Sequence, residues 1–202
     1  MTQVKICGIK REIDVEYINK YLPTYAGFVF AGTKRKLSPE TAQNLCRLTN
    51  NRIKKVGVFV NEDIESLLNI ANLCRLDVVQ LHGDETPDYV QRVKNAGYEV
   101  WKAFRIQDNS VFEQIKNYNA DKYLLDTYVE NEYGGSGFTF DWSIIKNGES
   151  IILAGGLTAN NVTEAIAIAR PFCVDVSSGV EDEFGYKDEQ KIREFMEVVA
   201  RG

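Results

Sequence analysis

Two patterns of apolar residues alternate along the chain. Short runs rich in Val, Ile, Leu, Phe and Tyr recur from one end to the other: QVKIC, YAGFVF, KKVGVFV, DVVQL, EVWKAF, DKYLLD, SIILAG and FCVDVS. Each stops near a Gly, Asn, His, Asp or Ser, which is how a short buried strand reads in sequence. Between them lie stretches with apolar residues three or four apart, such as SPETAQNLCRLTN, NEDIESLLNIANLC and ANNVTEAIAIAR. That spacing covers one face of a helix. Helix starts carry their own signals. Ser38 reads as an N-cap, with Pro39 in the first helical position and Glu40 in the first turn. Asn61 is expected to cap the next helix, with Glu62 and Asp63 at its positive end. Pro87 falls in the first turn of the helix after Gly83. Asn160 is expected to cap the helix that ends near Arg170, where Pro171 stops it.

The strand count and the intervening helices predict an α/β fold, a single (β/α)8 TIM barrel with short loops, as one domain over residues 1–202. A doubly wound open sheet shares the alternation, but the first strand is not followed by a GxGxxG turn. At this length the loops must be short and one or two helices abbreviated.

In such a barrel the active site forms at the carboxyl ends of the strands. Side chains alternate along a strand, so Lys5 shares a face with Cys7, Gln80 with His82, and Asp175 with Ser177. Polar groups aimed into a barrel must be paired. Strands one and eight adjoin in a closed barrel, so Lys5 is expected to pair with Asp175. Gly155 and Gly156 end strand seven, and Ser177, Ser178 and Gly179 end strand eight. Small residues there let backbone N–H groups approach a phosphate. One such loop alone reads equally as a tight turn; two on adjacent strands favour phosphate.

The formal net charge of −5 argues against a nucleic-acid partner, which wants a basic face. Lys34, Arg35 and Lys36 form one tight basic cluster, enough for a small anionic ligand. No run approaches the roughly 18 apolar residues of a membrane span, and the N-terminus lacks the pattern of a signal peptide. The cytoplasm is therefore the expected compartment. The four cysteines lack CxxC spacing, so neither a metal site nor a disulfide framework is expected. Cys46 and Cys74 fall among leucines in helical runs, and Cys173 starts its strand. Cys7 alone ends a strand at the catalytic face, where position leaves core filler and functional thiol both open. Asp126 ends strand six in LLD, ahead of VENEYGGSGFTFDW. It either caps the next turn or joins Cys7 as an acid–base pair across the mouth, with GGSG as a mobile cover.

VKICG, FVF, VGVFVN, VVQLHG, LLDT, YGGSGFTFDW, LAGGL and VDVSSGVE, in this order and spacing, closely resemble the phosphoribosylanthranilate isomerase family of tryptophan biosynthesis. The resemblance runs from strand one to strand eight. It implies a cofactor-free barrel that converts N-(5′-phosphoribosyl)anthranilate into the 1-amino-1-deoxyketose by an Amadori rearrangement. It also implies that Asp126 is the general acid and Cys7 the general base, a thiolate near or below its usual pKa of about 8.5. Arg35 then binds the anthranilate carboxylate, with Lys34 and Lys36 as alternatives in a loop that departs from the family's proline-containing form. Gly155, Gly156, Ser177, Ser178 and Gly179 match the phosphate site, Asp175 the substrate hydroxyls, and His82 a polar residue near substrate. The expected partner is a phosphorylated small molecule, with no nucleic acid and no membrane. Another phosphate barrel of the same pathway would want glutamates at strand ends, and none is present. A catalytically silent barrel would need neither Cys7 nor Asp126. The outer helices are ordinary amphipaths with no exposed apolar stripe, so a monomer is expected.

Overall fold

All eight apolar runs form strands: β1 (Gln3–Cys7), β2 (Tyr25–Val29), β3 (Lys54–Phe59), β4 (Val78–Leu81), β5 (Glu99–Ile106), β6 (Lys122–Thr127), β7 (Ile151–Leu153) and β8 (Cys173–Val176). They pair in parallel in chain order and close β8 onto β1. The computed structural model describes residues 2–32, 34–106, 108–127, 141–145 and 148–201. The expected GGSG cover lies outside the described residues. Around the barrel run α1 (Glu12–Tyr21), α2 (Pro39–Leu48), α3 (Ile64–Leu73), α4 (Pro87–Asn95), α5 (Val111–Ile115), α6 (Val162–Ala169) and α7 (Glu189–Arg201). The expected abbreviation falls on α5, and on the β6–β7 connection, where the described residues hold only 3₁₀ turns. No helix among the described residues is long and apolar enough to cross a membrane.

Strand alternation divides the core into two layers. Outward-facing Ile6, Phe28, Phe59, Leu81, Leu153 and Val176 meet the apolar faces of the helices. Inward-facing Tyr25, Val56, Val78, Trp101, Leu124 and Ile152 fill the barrel floor. Tyr25 and Trp101 meet edge to face with ring centroids 4.7 Å apart, and the Trp101 indole donates to Glu99 Oε1 at 2.8 Å. Above this floor the interior turns polar. Register places Lys5 opposite Asp175, and Lys5 Nζ lies 2.7 Å from Asp175 Oδ2 with the lysine fully buried. The expected pair is present, and its close contact offsets the cost of taking two charges out of water.

Ser38 accepts from Thr41 N and Thr86 caps α4 ahead of Pro87. Two expected caps are displaced. The cap of α3 is Asp63, which accepts from Glu65 N and Ser66 N. Asn61 instead adopts a left-handed φ of 50° and accepts from Asp84 N at 2.7 Å, tying the β3 loop to the β4 loop. Asparagine tolerates that conformation, so the cap signal passes to the next short acid. The start of α6 follows Asn161 rather than Asn160. Asn161 closes the turn by accepting from Thr158 N at 2.8 Å and donating to Gly156 O at 2.9 Å. Lys102, facing outward from β5, donates to the carbonyls of Leu81 and Gly83 and lies 3.1 Å from Glu85. Glu85 in turn accepts from Asn61 N and Gly83 N. This buried staple, which the sequence did not announce, braces the loop that carries His82.

Candidate active site

A cavity of about 640 Å³ opens at the carboxyl ends of the strands. It brings together Cys7 from β1, Arg35 after β2, His82 after β4, Asp126 from β6, Gly155 and Gly156 after β7, and Asp175, Ser177 and Ser178 on β8. Lys34 and Lys36 line it too. Gly179 does not. It lies in the 3₁₀ turn Ser178–Val180, where an added Cβ would run into the Leu157 carbonyl oxygen. Its part is to let the β7 and β8 loops touch.

The thiol end is built by β1 and β2. Cys7 pairs with Gly27 in the barrel register, and a methyl on Gly27 would come within 2.7 Å of Cys7 Sγ. Sequence reading passed over Gly27; a glycine inside an otherwise bulky strand is the signal that would have found it. Burial pushes the Cys7 thiol up; Lys5 pulls it down and Asp175 pushes it up again, leaving it above its ordinary value. This corrects the expectation of an ordinary or lowered thiol. Lys5 is itself raised: burial disfavours its charge, but Asp175 and Cys7 outweigh that. The lysine's charge is already shared with Asp175, so it compensates the buried sulfur only in part. Gly27→Ala leaves the strand backbone allowed and forces the sulfur to move. A displacement of about 1 Å costs about 10²-fold, so we expect kcat to fall on that order with KM little changed, measured by steady-state kinetics.

At the acid end, His82 Nε2 lies 3.3 Å from Asp126 Oδ2, without the alignment of a hydrogen bond. Gln80 Nε2 sits 2.8 Å from His82 Nδ1. An amide donor on Nδ1 leaves the neutral ring's proton on Nε2, facing Asp126. The other carboxylate oxygen lies over Gly155. That glycine has φ +86°, and a Cβ on it would come within 2.8 Å of Asp126 Oδ1. Gly155 therefore serves a left-handed turn and clears space for the acid.

The remaining groups suit an anionic, hydroxylated ligand. Ser177 Oγ donates to Cys7 O at 3.1 Å, binding the ends of β8 and β1 together. Asp175 Oδ1 is buried at the cavity without a hydrogen-bond partner among the described residues. Arg35 does not stand alone. Its Nε and Nη2 donate to Glu181 Oε1 and Oε2, both at 2.8 Å. Lys187 Nζ donates to Glu181 Oε1 at 2.8 Å and to Ser177 O at 2.9 Å. Neither Glu181 nor Lys187 was singled out from the sequence, although an acid directly after a small-residue phosphate loop was a visible anomaly. Among the described residues no group of His, Cys, Asp and Glu is placed to hold a metal ion.

Fold and cavity together define an enzyme of the (β/α)8-barrel class, with its polar groups gathered at the carboxyl mouth. The family model for N-(5′-phosphoribosyl)anthranilate isomerase matches residues 4–198, and the chain belongs to that family. A relative of the same name from Thermoanaerobacter sp. (strain X514) is 52% identical over 202 residues, covering 98% of each chain. The Thermotoga maritima isomerase is 37% identical with full coverage of both chains and a TM-score of 0.92; monomers generated from that dimeric enzyme give 0.88. An isomerase solved with reduced 1-(o-carboxyphenylamino)-1-deoxyribulose 5-phosphate is 36% identical, with full coverage of both chains and a TM-score of 0.89.

Proposed function

We propose that Cys7 and Asp126 are the base and acid of the reaction that defines this family. The chain is an isomerase of tryptophan biosynthesis, acting on N-(5′-phosphoribosyl)anthranilate. The carrying observation is that a strand-terminal thiol and a strand-terminal carboxyl line one cavity. Asp126 gives its proton to the ribose ring oxygen while the C1′–O bond breaks and the nitrogen lone pair forms an iminium. Cys7 thiolate then takes the C2′ proton. The released electron pair makes the C1′=C2′ bond and neutralises the nitrogen, giving an enolamine. Loss of the enol proton and protonation at C1′ yield the ketone, so the net change is internal to the substrate. The iminium supplies beside Cys7 the positive charge that Lys5, shared with Asp175, does not supply in full. His82 sits beside the acid as a polar neighbour of the substrate.

In this reading Arg35 binds the anthranilate carboxylate; its planar fork matches a carboxylate better than Lys34 or Lys36 does. Gly155, Gly156, Ser177 and Ser178 receive the phosphate, with Gly179 joining their loops, and Asp175 Oδ1 accepts from a ribose hydroxyl. The product analogue in the related structure carries the same groups: a ring carboxylate, hydroxyls and a phosphate. Residues 1–202 are read as one barrel domain, active in the cytoplasm. A monomer is also proposed. It is supported by the scatter of the exposed apolar side chains of α1, α2, α3 and α6, namely Ile13, Leu48, Leu73 and Ile168, one to a helix.

Turnover of phosphoribosylanthranilate, followed by anthranilate fluorescence, tests the reading. Activity is expected in the wild type and is expected to fall sharply in Cys7→Ala and Asp126→Asn; full activity in both variants would overturn the assignment of the pair. Arg35→Met is expected to raise KM by about 10- to 100-fold, the loss of a charge-assisted bidentate contact. An unchanged KM would move the carboxylate to a neighbouring lysine.

A further inference from the structure

We infer that Glu181 is a positioning residue that makes Arg35 selective for the ring carboxylate, an inference that rests on the assignment of Arg35 to that group. A free arginine at a barrel mouth has many rotamers and binds any anion. Here Glu181 takes the Nε and Nη2 edge of the guanidinium with two bonds of 2.8 Å. Five N–H groups fan out from a guanidinium in one plane, so this leaves a second edge of the fork, between Nη1 and Nη2, for another carboxylate. The arginine's stem is set as well. It crosses the β1 turn so closely that a methyl on Gly8 would come within 2.7 Å of Arg35 Cδ.

The clamp itself is anchored from below. Glu181 is 7% exposed, its carbonyl accepts from Lys191 Nζ at 2.6 Å, and Lys187 spans from its carboxylate to the Ser177 carbonyl. Lys187 also resolves an electrostatic difficulty. Glu181 and Arg35 alone would be neutral, and a neutral pair attracts an anion poorly. Burial pushes Lys187 below the ordinary lysine range while Glu181 pulls it back up; in its protonated form it leaves the three groups with one net positive charge. Burial pushes Glu181 up, but Arg35 and Lys187 outweigh it and hold the carboxyl at about 2, so it stays ionised wherever the enzyme works. The two cations have divided labour: Lys187 balances the clamp, and Arg35 is left to read the ligand.

A merely structural ion pair would weaken all ligands alike, whereas a positioning residue should weaken only ligands with the ring carboxylate. The probes are reduced 1-(o-carboxyphenylamino)-1-deoxyribulose 5-phosphate and its counterpart lacking the carboxyl group, with Kd measured by calorimetry. Wild type is expected to prefer the carboxylated probe by about 10- to 100-fold. Glu181→Gln should cut that preference at least about fivefold and leave Kd for the uncarboxylated probe within about twofold. In turnover it should raise KM and leave kcat within about threefold. Glu181→Asp keeps the charge but retracts it by one methylene, and should lose part of the preference; it serves if the glutamine variant folds poorly. Wild-type preference in both variants, or equal weakening of both probes, overturns the inference. Arg35→Met separates the two claims: it should abolish the preference. If it does not, the carboxylate assignment itself fails; if it does while both Glu181 variants retain the preference, only the role of Glu181 fails.

Discussion

Replacing Cys7 with alanine is expected to lower kcat/KM by about 10³-fold, within the 10² to 10⁴ that a positioned general base contributes. The loss should fall on kcat, because in the proposed mechanism the thiol takes the C2′ proton and makes no binding contact. The pH profile gives the sharper test. The base must be deprotonated, and burial with Asp175 holds the free enzyme's thiol above its ordinary value. The wild-type kcat/KM should therefore keep rising with pH beyond about 8.5, the usual thiol range. In the complex the iminium favours the thiolate, so the corresponding rise in kcat should come at lower pH. The alanine variant should lack both thiol-dependent rises. A wild-type profile that levels off well below 8.5 would overturn the raised thiol, and an alanine variant with full activity would remove Cys7 as the base.

Asp126→Asn is the second large effect, with kcat/KM expected to fall by about 10²- to 10⁴-fold. The amide fills the same space beside His82 and over Gly155 but has no acidic proton for the ring oxygen. Binding of the reduced open-chain product analogue should change by less than about tenfold, since that ligand has no ring to open. A small kinetic effect would transfer the acid's role to His82, whose Nε2 lies 3.3 Å from the same carboxylate. Equal loss of turnover and analogue binding would mean that the substitution collapses the cavity.

The parts of this molecule that the sequence made legible are those with local or periodic causes. Eight apolar runs appear as eight strands, and Ser38–Pro39 starts α2 as such a pair should. The Lys5–Asp175 pair was also within reach, because barrel closure makes neighbours of the first and last strands. The displaced caps at Asp63 and Asn161 show the limit of local reading: two capping residues stand close together, and tertiary loop contacts choose between them. The candidate residues, read from strand ends and family resemblance, gather at one cavity apart from Gly179. What stayed hidden depends on packing. The raised Cys7 thiol reflects desolvation, which has no sequence signature. The Arg35–Glu181–Lys187 chain joins the β2 loop to the β8 loop through side chains alone. Gly27 matters through the volume it lacks, beside a sulfur on another strand.

The lysine buried under Cys7 has a consequence beyond turnover. Peroxides and electrophiles attack a thiolate far faster than a thiol. Lys5 is close enough to assist the sulfur, yet its charge is shared with Asp175, and burial still holds the thiol above its ordinary value, which favours the less reactive form. Between turnovers the sulfur is thereby biased toward its chemically quiet form. In the proposed mechanism the substrate, once opened to a cation, is what arms it.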